Sequence, residues 1–132
     1  MSFADKLKAV KEQSKSLLDD RERMDWADFK TYYGSEPVKI VDIELIKNAG
    51  TIKDKDGNEK KTDLFAIVID GEENTFLWAA GQLKKDLEAL LRDEYKMNIE
   101  KMRKDIQESP LTVSITWSRT KFGNDMLKYN IL

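Results

Sequence analysis

Between Leu111 and Ser118 apolar and polar residues alternate without a break, Leu111, Val113, Ile115 and Trp117 against Thr112, Ser114, Thr116 and Ser118. A period of two sends successive side chains to opposite faces, so this stretch is predicted as a strand with one buried and one polar face. Its partner has to be found elsewhere in the chain. Val41, Ile43 and Leu45 share one face of a strand that begins at Val38, with Asp42 and Glu44 pointing the other way. Leu64 to Ile69 is a continuous apolar run, as expected of a central strand covered on both faces. Asn48 to Lys61, rich in Lys, Asp and Gly, reads as the turn region between them. Asp70-Gly71 opens a tight connection to a third strand, Asn74 to Ala79, on which Phe76 and Trp78 project together. After the turn Lys121-Phe122-Gly123-Asn124-Asp125, Leu127, Tyr129 and Ile131 pattern a last strand.

Helical periodicity fills the remaining segments. Leu83, Leu87, Leu90 and Leu91 recur at helical spacing, and Asn98 can cap a second short helix carrying Ile99, Met102 and Ile106 before Ser109-Pro110 stops it. Near the start, Phe3, Leu7, Val10, Ser14 and Leu17 with Leu18 line one narrow side of a helix for which Ser2 is a plausible cap. A narrow stripe with charged flanks suits docking on a core or partner helix, because a membrane-surface helix calls for a basic polar face. Asp19 to Asp28 is charge-dense around Met24 and Trp26, and Tyr32 to Pro37 reads as a turn.

At 132 residues the chain is sized for one domain. It divides into an N-terminal helical arm, residues 1–36, and a body, residues 37–132, with a helical insertion at about 80–109. Strands with a helical segment between the third and fourth follow the order of an OB-fold, a five-stranded, partly open Greek-key barrel. A single sheet packed against helices satisfies the same order.

Absent residue types narrow the chemistry. Without Cys there is no disulfide, thiolate metal site or cysteine nucleophile, and without His no imidazole base or ligand. Carboxylate pairs such as Asp19-Asp20, Glu72-Glu73 and Asp93-Glu94 lie in charged turns or helix flanks, with no apolar setting to raise a carboxyl pKa for acid catalysis. Asp54 to Glu59 resembles a calcium loop until its sixth position, which needs Gly and holds Glu59; Asp56-Gly57 is instead a hairpin turn. Gly-rich phosphate loops are missing too, so no cofactor is implied and a non-enzyme is expected. Met1 to Asp20 lacks the apolar stretch of a signal peptide, and no segment reaches the roughly 20 apolar residues of a membrane span. The expectation is a cytoplasmic protein without a membrane partner.

A net charge of −2 provides no general field for a polyanion, so any such site must be local. Residues 110–132 carry Arg119, Lys121 and Lys128 against Asp125 alone, whereas residues 37–79 hold six basic and nine acidic residues. Single-stranded nucleic acid is bound by aromatic faces that stack bases and cations that follow the phosphates. Phe122, set among those cations at a hairpin tip, is the best single stacking candidate. Phe76 and Trp78 are candidates if the third strand forms the binding face, and core residues if a helix covers them. Trp117 and Tyr129 fall on the core face by alternation, and Lys61, beside Lys60 in the first hairpin, could meet phosphate.

Three stretches resemble a family of small phage and prophage-encoded, OB-like single-stranded DNA-binding proteins. Arg21-Glu22-Arg23-Met24-Asp25 with Tyr33 to Val38 is similar to the family's charged segment before a Tyr-Pro turn. Thr75 to Leu83 is similar to its aromatic strand running through small residues into a Leu-bearing helix. Ser118 to Asn124 with Lys128 is similar to its closing basic turn. The resemblance implies non-catalytic single-stranded DNA binding in phage replication or recombination, in the host cytoplasm. The rival expectation is an adaptor that binds a protein partner, or itself, through the helical arm.

Overall fold

The computed structural model describes residues 2–7, 16–123 and 125–132. Residues 3–7 are helical, and the elements that follow are β1 (Glu22–Arg23), α1 (Trp26–Tyr33), β2 (Val38–Lys53), β3 (Glu59–Ile69), β4 (Thr75–Trp78), α2 (Gly81–Asp93), α3 (Ile99–Glu108), β5 (Leu111–Arg119) and β6 (Asp125–Ile131). The strands form one curled, open sheet in the order β1-β4-β3-β2-β5-β6, antiparallel except for the parallel β1–β4 pair. The expected strands are all present, and the arm adds β1 at the edge.

β2 organises the sheet. Its first residues pair with β5, Val38 opposite Val113 and Ile40 opposite Leu111, while most of its length pairs with β3. A register shift between Ile40 and Asp42 changes the phase of the strand. Val38 and Ile40 before it, and Ile43 and Leu45 after it, all reach the main core. Val41 and Asp42 both fall on the opposite face, since a bulge leaves one extra residue on one side of the strand. The predicted sharing of a face by Val41, Ile43 and Leu45 is therefore corrected at Val41.

The expected turn at Asn48 to Lys61 is a two-stranded ribbon for most of its length, paired from Gly50–Thr62 to Lys53–Glu59. The ribbon is exposed on both faces, Ile52 included, because it runs past the core, which hides its period of two. Only the tip turns. The N–H groups of Asp56 and Asn58 donate to Asp54 Oδ1 at 2.9 and 3.0 Å, and Gly57 supplies the positive φ of +80°.

Phe65, Ala66, Ile67, Val68 and Ile69 are all buried, which places β3 at the centre of the sheet with cover on both faces. On its inner face Phe65, Ile67 and Ile69 join Leu77, Val113, Ile115 and Leu127 beneath Phe29, Leu83, Leu87, Leu91 and Met102 from the three helices. Each such aliphatic side chain contributes roughly 1.5–3 kcal/mol by leaving water. On the outer face Ala66, Val68 and Phe76 are covered by Leu17. The Leu repeat of α2 buries Leu83, Leu87 and Leu91 and leaves Leu90 exposed, and Asn98 caps α3 by accepting from Lys101 N–H at 3.2 Å. Gly81, at φ +55°, opens α2 against β6, where an added Cβ would stand 2.5 Å from the Leu127 carbonyl oxygen.

Two features of the arm depart from expectation. The segment read as polar chain plus turn contains α1, whose Trp26, Phe29 and Tyr33 face inward at spacings of three and four, with Phe29 fully buried. Ser2 does cap the first helical residues, accepting from Asp5 N–H at 3.2 Å, yet Phe3 and Leu7 are 80% and 57% exposed and dock on nothing among the described residues. Val10 and Ser14 lie outside the described residues. Among the described residues of the stripe, Leu17 alone is deeply buried, with Leu18 half-buried beside it.

Candidate nucleic-acid interface

Alternation along β5 and β6 sorts the closing hairpin into two faces. Val113, Ile115 and Leu127 point into the core with Trp117 and Tyr129 at its margin. Thr116 and Lys128, paired across the ladder, take the other face with Ser114 and Asn130. Among the described residues of the hairpin, no acid falls on that second face. Tyr129 closes the inner side by donating its hydroxyl to Asp86 of α2 at 2.6 Å, and burial, helped by that bond, pushes its pKa up to about 12.

At the tip Phe122 is 80% exposed, with Lys121 Nζ 5.2 Å from its ring centroid. Arg119, exposed, sits opposite Asp125 in the ladder. Of the chain's five arginines it is the one whose guanidinium has no protein partner among the described residues. Arg23 and Arg92 pair with Asp25 and Asp93, Arg21 donates to the Leu17 carbonyl at 2.9 Å, and Arg103 grips Asp42 through two bonds of 2.8 and 3.0 Å. A guanidinium presents five donors in a fixed fork, so an uncommitted one at an exposed tip is available to a phosphate.

Phe76 and Trp78 do project together, edge to face at 5.1 Å, on the outer side of β4. That side is not open. Phe76 is buried beneath Leu17, and Trp78 is half-buried in the same cluster. The cover is fastened by Glu44, whose Oε2 accepts from Leu17 N–H at 2.7 Å and from the Ser16 hydroxyl at 3.2 Å. Asp42 and Glu44 thus bring carboxylates to the face that carries the two rings. The neighbouring Arg103 is held by Asp42 and charge-paired with Glu44 at 4.0 Å, and its pKa is raised by the Asp42 bonds. Glu44, which alternation points away from Ile43 and Leu45, is thus the anchor of the arm.

Lys61 stands opposite Thr51 in the projecting ribbon. β5 runs antiparallel to β2 and continues past its first residue, so the Phe122 turn lies beyond one end of β2 and the Asp54–Asn58 turn beyond the other. Arg119, Lys121, Phe122 and Lys128 belong to one hairpin, with Lys128 on the face opposite Arg119; Phe76 with Trp78, and Lys61, are elsewhere.

The cluster includes a residue that sequence reasoning passed over. Lys30 of α1 places its Nζ 5.6 Å from the Trp117 ring centroid, and Trp26 meets the same ring edge-on at 5.9 Å while donating its indole N–H to the Trp78 carbonyl at 2.7 Å. The signal was present in the spacing of Trp26, Phe29 and Tyr33, which would have given a short helix with Lys30 on its flank. Among the described residues no helix is long and apolar enough to cross a membrane. Neither a family model, nor a curated protein, nor a solved structure matches this chain.

Proposed function

We propose that the protein is an OB-like, non-catalytic single-stranded DNA-binding protein of phage replication or recombination, and that the β5–β6 hairpin makes its primary contact. Support for the OB reading comes from the order β4-β3-β2-β5-β6 and from the helical segment between β4 and β5. The observation that carries the functional reading is the exposed Phe122 ring with Lys121 beside it and, at the base of the turn, the Arg119 guanidinium, which has no partner among the described residues. Phe122 stacks on a base, and Arg119, Lys121 and Lys128 neutralise phosphates. Sequence preference is weak in such a mode, because every base has a stacking face. Lys61, Phe76 and Trp78 are secondary: Lys61 serves a strand long enough to reach the ribbon, and the rings serve only where the arm lifts from β4.

Titration of a labelled oligo(dT) tests the reading. Three phosphate contacts predict a slope of log affinity against log salt of about −2, hence roughly 20-fold weaker binding at 200 than at 50 mM. The double variant Arg119→Glu, Lys121→Glu should weaken binding to every sequence tried, and Phe122→Ala by about 5-fold or more. Unchanged affinity in the double variant rejects the assignment.

One observation favours a second reading, an adaptor that binds a protein through its arm: Phe3 and Leu7 stand exposed one turn apart on a capped helix. In that case light scattering shows self-association or partner binding that Phe3→Ser with Leu7→Ser abolishes, and the oligonucleotide binds no better to wild type than to the hairpin variant.

A further inference from the structure

We infer that the nucleic-acid path continues from the Phe122 tip along the margin of β5 onto α1, with Trp117 as a second stacking surface and Lys30 as a phosphate contact. This rests on the proposed reading of the hairpin and extends it to an element outside the sheet. Trp117 and Arg119 are two residues apart on one strand, so they share a face and lie about 7 Å apart along it. That is close to the spacing of successive nucleotides in an extended single strand. Trp117 is only half-buried, and its indole nitrogen, enclosed, has no hydrogen-bond partner. The ring packs T-shaped with Trp26 and is accompanied by one flexible cation, Lys30.

That pairing suits exchange. A lysine ammonium at the open side of a half-buried indole gains little, on the order of 1 kcal/mol, and its long stem can swing aside. When a base takes the place over the ring, the ammonium moves outward to the phosphate attached to that base, trading a weak contact for a charge pair. Lys30, like Arg119, Lys121 and Lys128, forms no ion pair among the described residues, so nothing has to be broken for the move. Asp125, opposite Arg119, is the carboxylate nearest this path in the ladder, and Asp28 is the acid on α1 closest in sequence to Lys30.

The test compares wild type, Lys30→Ala and, as a control of equal charge change on the remote ribbon, Lys53→Ala in oligo(dT) titrations followed by anisotropy. Tryptophan emission is followed in wild type and in Trp117→Phe. Loss of one phosphate contact should weaken Lys30→Ala about fivefold at about 0.1 M salt and make its salt slope shallower by about 0.7, with Lys53→Ala unchanged. Binding should quench wild-type emission, and Trp117→Phe should lose most of that quenching. If wild type binds while Lys30→Ala matches Lys53→Ala, or Trp117→Phe keeps the full quenching, the path over α1 is wrong and the hairpin reading stands. If wild type does not bind, both fall.

Discussion

Replacing Gly81 with Ala perturbs the point where the chain leaving β4 touches β6. An alanine Cβ there would lie 2.5 Å from the Leu127 carbonyl oxygen and 2.9 Å from its amide nitrogen, and both neighbours are backbone that cannot rotate away. The φ of +55° adds the left-handed penalty, about 1–2 kcal/mol for an L-residue, and overpacking against fixed atoms adds about 1–3 kcal/mol. A loss of about 2–5 kcal/mol is expected. For a chain of 132 residues the unfolding entropy is about 0.28 kcal/mol per degree, so the melting temperature should fall by about 7–18 °C. Gly57 and Gly71 provide the control, because their φ values of +80° and +88° impose similar backbone strain while an added Cβ meets nothing within 4 Å. Alanine at either should cost only about 4–7 °C. Thermal unfolding of the three variants by far-UV circular dichroism separates the contact from the dihedral. If Gly81→Ala melts within the range of the two controls, the start of α2 and β6 do not approach as closely as described.

Arg103→Met should lower stability by about 1.5–3 kcal/mol, or about 5–11 °C, by leaving the half-buried Asp42 with Gln107 as its remaining side-chain donor at 3.2 Å. Arg103→Lys should recover little of it, because an ammonium cannot reproduce the two-pronged grip; full recovery by Lys would show the bidentate geometry to be immaterial. Alkaline titration gives a further check. The Tyr33 hydroxyl, bonded to Glu72 at 2.5 Å, and the Tyr129 hydroxyl, buried beside Asp86, both have pKa values raised to about 12. The native state therefore holds protons that the unfolded chain releases near pH 10, so this stabilisation is complete below pH 10 and drains away between about 10 and 12. Denaturant midpoints across that window should fall in wild type and fall less in Tyr129→Phe; an equal decline in both would refute the assignment.

How much of this could be read from the residues depended on whether a pattern was local. Leu111 to Trp117, Leu64 to Ile69 and the Leu83, Leu87, Leu91 repeat each announce their element because one face is buried over the whole length, and Asn98 marks its helix by a bond three residues away. The ribbon beyond Gly50 leaves no such trace, since neither of its faces meets the core. β1 is two residues long and exists through backbone pairing with β4, to which side-chain pattern is blind. α1 hid because its three inward aromatic positions stand among polar and charged residues over only eight positions. At the candidate site, the hairpin tip was legible from turn chemistry and local charge. The cover over Phe76 was not, because it depends on Leu17 and Glu44 meeting across 27 positions of sequence.

The fastening of Ser16 and Leu17 to Glu44 divides the N-terminal segment into two parts with different fates under trimming. Phe3 and Leu7, both largely exposed, could be removed with little loss to the folded body. A cut past Leu18 would strip Glu44 of two donors, uncover Val68 and Phe76, and leave a greasy, negatively charged sheet face. Truncation past Leu18 should therefore lower the melting temperature far more than truncation past Leu7, and a shortened version of the protein ought to keep Ser16 and Leu17.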